Sequence, residues 1–449
     1  IPKRKGKKMK KKILLALLVV IILLGIGGAY AYFATDAFKS DKEMFFSYIS
    51  SDICSNLKDE KLEEYIKKQE TTAYTNKGDV SINVSGDNSL TSTVNGALQT
   101  LKDGKITLEG KTDNSRKMAE QTMTVELGQG INVPIKIKRD EDVLGIQSNL
   151  LNTKFIAVRN QNLKALLEKF GINSDEIPDK IDFNDGQLTQ EEIDNLKNKC
   201  ISILHDNLDD TSFSKEKVDG QTVIKLNTSN KHCQEILVKI LETLRDDEIV
   251  LKKMSGTLSE KDFKQKINTE IDKIKDIEVD DNSMLEIKLY IKTRKVKKVE
   301  MSIDGNNESK IFVKLENSDR QMLINVYEND NLVGDLSVLK QASGDDLTYT
   351  VNASLTSEGE ESVSLDFKVQ YKNIATLDDV EENYEINVSS VDSSSKKVNL
   401  SLDYKNLKSF ATDIEIEEIN SNNSIILNDA TDDELDDLLM TIYSNLGLY

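Results

Sequence analysis

The most suggestive group of potential ligands lies in the segment IDFNDGQLTQEEI, residues 181 to 193. An EF-hand loop binds Ca²⁺ through oxygen ligands at positions 1, 3 and 5, a glycine at position 6 and a glutamate at position 12. With Asp182 and Asn184 at positions 1 and 3, Gly186 falls at position 5 and Glu192 at position 11, so the spacing is one residue short. The calcium candidates are Asp182, Asn184, Asp185 and Glu192. The segment fits a turn before a capped helix equally well, so we expect no bound metal.

Nucleophilic catalysis by cysteine or histidine has little support in the sequence. There are two histidines, His205 and His232, and three cysteines. His232 directly precedes Cys233, and adjacent residues on a helix point about 100° apart, so they cannot form a nucleophile–base pair. Cys200 and Cys233 could form a disulfide and leave Cys54 over, but we expect all three thiols to be reduced and buried.

Other catalytic signatures are missing from the sequence. It has no Gly-x-Ser-x-Gly motif, no Walker loop and no dinucleotide fingerprint. A hydrolase acting through two carboxylates remains an alternative, because 78 acidic residues offer many pairs. The chain contains no Trp, which weakens a carbohydrate-binding interpretation. We therefore expect a protein that is not an enzyme and holds no cofactor.

The N-terminal segment predicts a membrane anchor. Residues 1 to 12 carry eight basic side chains, and the next 21 residues, Ile13 to Phe33, carry no charge. Such a helix is about 31 Å long, enough to span a bilayer. The positive-inside rule places residues 1 to 12 in the cytoplasm and residues 34 to 449 outside. A cleaved signal peptide ending near Ala29 to Ala31 is the alternative.

The charge of the exported part limits its partners. Residues 34 to 449 contain 51 basic and 78 acidic side chains, for a net charge of −27. This charge repels phosphate polymers and anionic headgroups, so we expect no nucleic acid partner. The single N-terminal helix is the expected contact with the membrane.

A helical period of about 3.6 residues recurs along the exported part. Thr189 and Glu192 also have the spacing of a capping box. The predicted helices cover Asp41 to Gln69, Asn162 to Phe170, a segment starting at Thr189, Asn230 to Arg245, Ser259 to Ile277, and a C-terminal segment after Thr431.

Between these helices the apolar period is two, which predicts antiparallel strands with one apolar face. The earlier strands lie near residues 80–84, 106–108, 123–127, 131–137, 155–158 and 223–226. About ten consecutive strands follow, near residues 285–291, 299–303, 311–315, 324–326, 336–338, 347–355, 363–371, 386–388, 398–404 and 414–416.

The expected fold class is α+β: an N-terminal transmembrane helix, then large curled antiparallel sheets flanked by amphipathic helices. A boundary near residue 255 divides the exported part into an α+β unit, 34–255, and a β-rich unit with a closing helix, 256–449. Two segments, 224–244 and 425–446, share the order strand, Leu-Asn, polar cap and amphipathic helix. The two units could therefore be related by duplication.

This order of elements over residues 41 to 449 resembles the bacterial lipoprotein-carrier and lipid-carrier families. That resemblance implies a half-barrel sheet that is backed by helices and holds an acyl chain. The signal-anchor start, the Lys/Asn/Asp/Ile-rich composition and the absence of Trp also resemble uncharacterised cell-surface proteins of low-GC Gram-positive bacteria. The second resemblance implies a location at the cell envelope.

The sequence thus leads to one main hypothesis and two alternatives. We expect a single-pass membrane protein whose extracytoplasmic sheets bind a lipid-like apolar ligand or an envelope partner. The alternatives are a structural or regulatory envelope protein without a ligand pocket and a carboxylate hydrolase. An apolar cavity of a few hundred Å³ would favour the carrier, and a filled interior would favour the interaction protein.

Overall fold

The computed structural model describes most of the chain after residue 39. The described residues are 40–50, 55–86, 104–127, 131–171, 180, 189–254, 259–277, 279, 283–304, 310–356, 362–391, 395–411, 413–445 and 447. Among these residues no helix is both long and apolar enough to cross a membrane. The basic segment 1–12 and the predicted anchor Ile13 to Phe33 lie outside them.

Eighteen β-strands form one sheet in the part of the chain that the structure describes. The first group comprises β1 (Tyr74–Gly86), β2 (Gly104–Asp113), β3 (Met118–Leu127), β4 (Ile131–Arg139), β5 (Val143–Ser148), β6 (Asn152–Arg159), β7 (Phe213–Val218) and β8 (Gln221–Ser229). The second comprises β9 (Met284–Lys292), β10 (Lys295–Asp304), β11 (Lys310–Asn317), β12 (Gln321–Glu328), β13 (Asn331–Ser343), β14 (Asp346–Thr356), β15 (Ser362–Lys372), β16 (Asp379–Val391), β17 (Lys397–Phe410) and β18 (Ser424–Ile426).

The order of the strands explains how the two halves of the chain meet. From one edge, β7 to β17 lie side by side in sequence order, β17 pairs with β1, and β1 to β6 continue to β18. All pairs are antiparallel except β6 with β18, which is parallel. The sheet is open, with β7 and β18 at its edges. The predicted antiparallel sheet is therefore confirmed, whereas the boundary near residue 255 stays a prediction.

Eight α-helices lie within the described residues. They are α1 (Asp41–Ser50), α2 (Glu60–Thr71), α3 (Leu163–Lys169), α4 (Gln190–Asn207), α5 (Asn230–Arg245), α6 (Glu248–Met254), α7 (Glu260–Lys275) and α8 (Asp432–Asn445). The capping box predicted for Thr189 and Glu192 is present at the start of α4.

The largest core lies on the sheet face that we call the inner face. There α1 packs on β7 and β8, α5 packs on β8 and β9, and the buried side chains of β8 to β12 form one cluster with those of the two helices. The buried side chains include Phe45 and Ile49 of α1, Ile236 and Ile240 of α5, and Ile224, Leu289, Met301, Val313 and Ile324 of the strands. Alternation along each strand brings these apolar residues to the same face, as the sequence period predicts.

Two local predictions are wrong. The predicted helix from Asp41 to Gln69 is two helices, because Asp59 has an extended backbone and its side chain accepts a hydrogen bond from the Lys61 N–H, which starts α2. The segment with Ile414 and Ile416 is not a strand. Both isoleucines are buried against Ala73 and Met118, so their alternation reflects burial without strand pairing.

Candidate functional site

The inner face of β14 to β17 and β1 to β4 continues the apolar pattern beyond the helix-covered core. The strand register aligns one apolar side chain from each strand in a row: Val351, Phe367, Ile386, Leu402 and Ile82. The row crosses four strand spacings, or about 19 Å. We call this region, the inner face of β14 to β17 and β1 to β4, the open face.

Side chains of the open face are only partly shielded from solvent. The row itself is half-buried. Further toward the end of the strands, the exposed fractions rise to 58% for Leu355, 48% for Val363 and 39% for Leu400. A contiguous apolar surface of this kind marks an interaction site in a folded protein. The open face is therefore the strongest candidate for ligand binding among the described residues.

An aromatic group lies next to the apolar row. The rings of Tyr384 and Tyr404 stack with centroids 5.5 Å apart. The ring of Phe367, which belongs to the row, has its centroid 6.4 Å from that of Tyr384. Tyr371 meets Tyr384 edge-on at 6.5 Å. These residues face inward because each is two residues from an inner-facing neighbour on its strand. The open face thus changes from aliphatic to aromatic toward one end of the strands.

A buried carboxylate lies beyond the tyrosines. Glu382 is 3% exposed and accepts three hydrogen bonds. The donors are the Tyr65 hydroxyl at 2.8 Å, the Asn406 Nδ2 at 2.7 Å and the Lys408 Nζ at 3.2 Å. We call these four residues the Glu382 cluster. The Glu382 charge is balanced by Lys408, and both Glu382 oxygens already accept hydrogen bonds. The carboxylate is therefore not placed to act as a general base.

Burial keeps the phenols around the cluster protonated. Burial, followed by the Glu382 charge, raises the pKa of Tyr65 far above its usual range. The same two causes raise the pKa of Tyr384, and they raise the pKa of Tyr404 to about 12. The hydroxyls therefore stay neutral hydrogen-bond donors even at alkaline pH, and the site offers polar contacts without a nucleophile.

Close approach of β1 and β17 shapes the same end of the open face. A Cβ placed on Gly78 would lie 2.7 Å from the Lys405 carbonyl oxygen and 2.9 Å from the Tyr404 ring. Only glycine leaves room here for the tyrosine ring to lie over the neighbouring strand. Gly78 therefore supports the Tyr384–Tyr404 stack.

A cavity of about 50 Å³ lies in the helix-covered part of the sheet. It lies between α1, α4, α5, β8 and β9, and its lining includes Phe46, Leu208, Cys233 and Leu285. A cavity that binds a molecule as small as benzene measures about 150 Å³. This one is too small for an acyl chain, and it falls short of the few hundred Å³ expected for an enclosed carrier.

The structure places one of the four calcium candidates. Asp182, Asn184 and Asp185 lie outside the described residues. Glu192 accepts a hydrogen bond of 2.8 Å from the Thr189 N–H and lies 3.4 Å from the Lys253 Nζ. Its role here is to cap α4, and the expectation that this segment binds no metal stays a prediction. Within the described part of the chain, no three metal-ligating side chains come together.

Two of the cysteines can be placed, and both are free. Burial raises the pKa of Cys233 to about 12, and burial with the nearby Asp247 charge raises that of Cys200. His232 directs its Nε2 toward the Asn207 carbonyl at 2.5 Å rather than toward Cys233. The described thiols thus lack an activating base.

Sequence reasoning missed the Glu382 cluster. A signal was present, because Glu382 on β16 and Asn406 with Lys408 on β17 are polar residues at inward positions. Their partner Tyr65 lies in a helix far away in sequence, and periodicity gives no information about such a contact.

Comparison with known proteins finds solved structures of low similarity and assigns the chain to no family. No model of a protein family and no curated protein matches the chain. The solved structures that resemble it include the CymD monoaromatic hydrocarbon channel, with 8% identity over 78% of this chain and 92% of that chain and a TM-score of 0.23. OpdQ of Pseudomonas aeruginosa has 6% identity over 76% and 98% of the two chains and a TM-score of 0.15. Transferrin binding protein B of Neisseria meningitidis has 6% identity over 75% and 77%, with a TM-score of 0.12. At these TM-scores the likeness carries no argument about fold or function.

Proposed function

We propose that the chain is a single-pass membrane protein of the cell envelope that binds the acyl chain of a lipid on its open face. The sheet lies outside the cytoplasm and acts by binding, without catalysis. The observation that carries this proposal is the row from Val351 to Ile82, which remains half-exposed although its side chains are apolar.

An acyl chain fits the open face better than it fits the helix-covered core. Each Å² of apolar surface removed from water stabilises a complex by about 25 cal/mol, so a chain laid along the row gains from every strand that it crosses. The cavity of about 50 Å³ beside α1 offers no comparable surface. The ligand therefore lies across the strands, beside Ile386 and Leu402.

Charge favours a lipid with a neutral or zwitterionic headgroup. The part of the chain after Phe33 has a net charge of −27, which disfavours approach of an anionic headgroup. At the aromatic end of the face, the neutral phenols of Tyr384 and Tyr404 offer polar contacts without charge. The predicted anchor Ile13 to Phe33 would keep this face close to its source of lipid.

The proposal can be tested by photo-crosslinking with a fatty acid that carries a diazirine. The full chain is placed in lipid nanodiscs, irradiated, digested and analysed by mass spectrometry. Label is expected on peptides of β14 to β17 as well as on the anchor. Leu402→Asp should remove the label from the strands, because it places a charge in the apolar row. Leu407→Asp is the matched control, since Leu407 lies on the other face of the same strand and is 44% exposed. Label confined to the anchor, or equal loss in both variants, would contradict the proposal.

The alternative is an envelope protein that uses the open face to bind another protein and carries no lipid. The small cavity favours this alternative for the helix-covered half, where the interior is nearly filled. It predicts that the chain purified from membranes releases no stoichiometric lipid on extraction.

A further inference from the structure

The segment that precedes β1 crosses one end of the sheet as a strap. We define the strap as residues 55–72, which comprise the 3-10 turn Ser55–Leu57 and helix α2. It meets the turns that join β11 to β12, β13 to β14, β15 to β16 and β2 to β3. The hydrogen bonds outside the Glu382 cluster include Asn56 to the Ser318 carbonyl (2.7 Å), Tyr349 to the Leu57 carbonyl (2.7 Å), Lys61 to the Gly344 carbonyl (2.8 Å), Lys68 to the Leu377 carbonyl, and Asn114 to the Gln69 carbonyl (2.5 Å). Two lysines of the sheet also contact the strap: Lys340 donates to the Lys58 carbonyl and lies 3.9 Å from the Asp59 carboxylate, and Lys408 donates to the Gln69 Oε1 at 3.1 Å.

The strap buries little apolar surface. Tyr65 is the buried residue of α2. Leu62 is half-buried against the same cluster, and Ile66 is 48% exposed. Segments with few buried apolar contacts open at lower free energy than the elements beneath them. By contrast, β14 to β17 are hydrogen-bonded on both sides.

We infer that the strap opens as a unit while the sheet stays folded, and that the hydrogen bond from Tyr65 to Glu382 controls how often it opens. Opening uncovers Tyr371, Tyr384 and the Glu382 carboxylate at the aromatic end of the open face. The part of this inference that concerns ligand entry rests on the proposed function. Opening itself does not depend on a ligand.

We expect loss of the Tyr65 hydroxyl to favour opening of the strap more than loss of any other single contact, because its acceptor is a buried charge. Lysines supply several of the other strap bonds, but those bonds end on carbonyl or amide oxygens, and the Asp59 carboxylate lies 3.9 Å from the Lys340 Nζ. Removing a donor from the buried Glu382 carboxylate costs more, because it leaves a buried charge with fewer hydrogen bonds. Tyr65→Phe removes this donor and keeps the ring contacts with Tyr371 and Phe410, both at 5.9 Å. The population of the open strap should rise about tenfold.

Hydrogen exchange of the full chain in nanodiscs, with no ligand added, tests the opening. In the unmodified chain, amides of α2 should exchange faster than those of β14 to β17. Tyr65→Phe should speed exchange in α2 about tenfold and leave the strands unchanged. Lys61→Met, an exposed change that removes the contact with Gly344, should give a smaller increase and does not risk the fold.

Tyr290→Phe is the matched control for the strap. Tyr290 donates to Glu300 at 2.6 Å between β9 and β10, away from the strap, so its loss should not change exchange in α2. Two results would overturn the inference: α2 amides that exchange no faster than those of β14 to β17, or an α2 exchange rate that Tyr65→Phe raises no more than Lys61→Met does.

The diazirine experiment separates the strap from the proposed function. Faster labelling of β14 to β17 in Tyr65→Phe than in the unmodified chain supports entry through the opened strap. Unchanged labelling with faster exchange overturns entry by this route and leaves lipid binding intact. Absence of strand labelling in every variant, with opening still observed by exchange, rejects lipid binding and leaves the opening intact.

Discussion

The hydroxyl of Tyr65 donates a hydrogen bond of 2.8 Å to the carboxylate of Glu382, which lies 317 positions later in the chain. This contact joins the segment before the first strand to the sixteenth strand of the sheet. It also brings Asn406 and Lys408 together on one acceptor, because β16 and β17 are neighbours. One carboxylate therefore fixes the position of α2 on the sheet and neutralises a half-buried lysine.

Loss of this carboxylate should destabilise the protein. Glu382→Ala leaves the Lys408 ammonium, which is 15% exposed, without its partner and removes the acceptor of Tyr65 and Asn406. Breaking such a pair typically lowers the free energy of unfolding by about 3 kcal/mol. Urea unfolding followed by circular dichroism measures the change. Glu385→Ala, which removes an exposed partner of Lys368 at 2.9 Å, should cost less than about 1 kcal/mol. Equal costs for the two variants would contradict the structural role of the cluster.

Alternation of apolar residues was sufficient to predict the strands and the face that they bury. Val351 and Leu402, for example, were placed in strands because polar residues flank them, and both lie on the inner face. The capping box at Thr189 was predicted correctly for the same kind of reason, since it depends on residues three apart. Local patterns predicted local structure.

The pairing of β1 with β17 could not be predicted in this way. Gly78 faces Asn406 across that pair, and nothing near either residue specifies the other. The Glu382 cluster depends on this pairing, so it was missed together with it. The break before α2 and the unpaired segment around Ile414 were mispredicted for a related reason, because apolar spacing reports burial and leaves hydrogen bonding undetermined.

Substitution of Gly78 tests the close approach of β1 and β17. Gly78→Ala places a methyl group 2.7 Å from the Lys405 carbonyl oxygen, and a backbone atom within a sheet cannot move away easily. We expect a loss of roughly 2 kcal/mol in the free energy of unfolding. The control is Gly334→Ala, whose methyl group would meet the end of the exposed Leu355 side chain at 2.8 Å. That side chain can rotate, so a cost at Gly334 as large as that at Gly78 would refute the argument.

Acid should weaken the turn between β2 and β3 through Asp113. Hydrogen bonds from Ser115 and then Arg116 lower the pKa of this carboxyl to about 2. Because the folded pKa lies below the unfolded value of about 3.9, the contribution is complete above that value and disappears as the pH falls toward 2. The carboxylate contributes about 2 kcal/mol to the free energy of unfolding at neutral pH, because solvent screens a side chain that is 9% exposed only weakly. Asp113→Asn should thus be less stable than the unmodified chain at pH 7, and the difference should shrink between about pH 4 and pH 2. A difference that stays constant over this range would show that the charge of Asp113 does not contribute.

Thiol labelling tests the burial of the two described cysteines. Burial raises the pKa of Cys233 to about 12 and also raises that of Cys200, so both remain protonated and shielded at mildly alkaline pH. In a Cys54→Ser variant, iodoacetamide should react slowly with the native chain and should modify both thiols after denaturation. Mass spectrometry counts the modified groups, and reduction beforehand should not increase that count, because the two thiols are free. Rapid modification of the native chain would mean that α4 and α5 do not enclose these side chains. A count that rises only after reduction would mean that Cys200 and Cys233 form a disulfide.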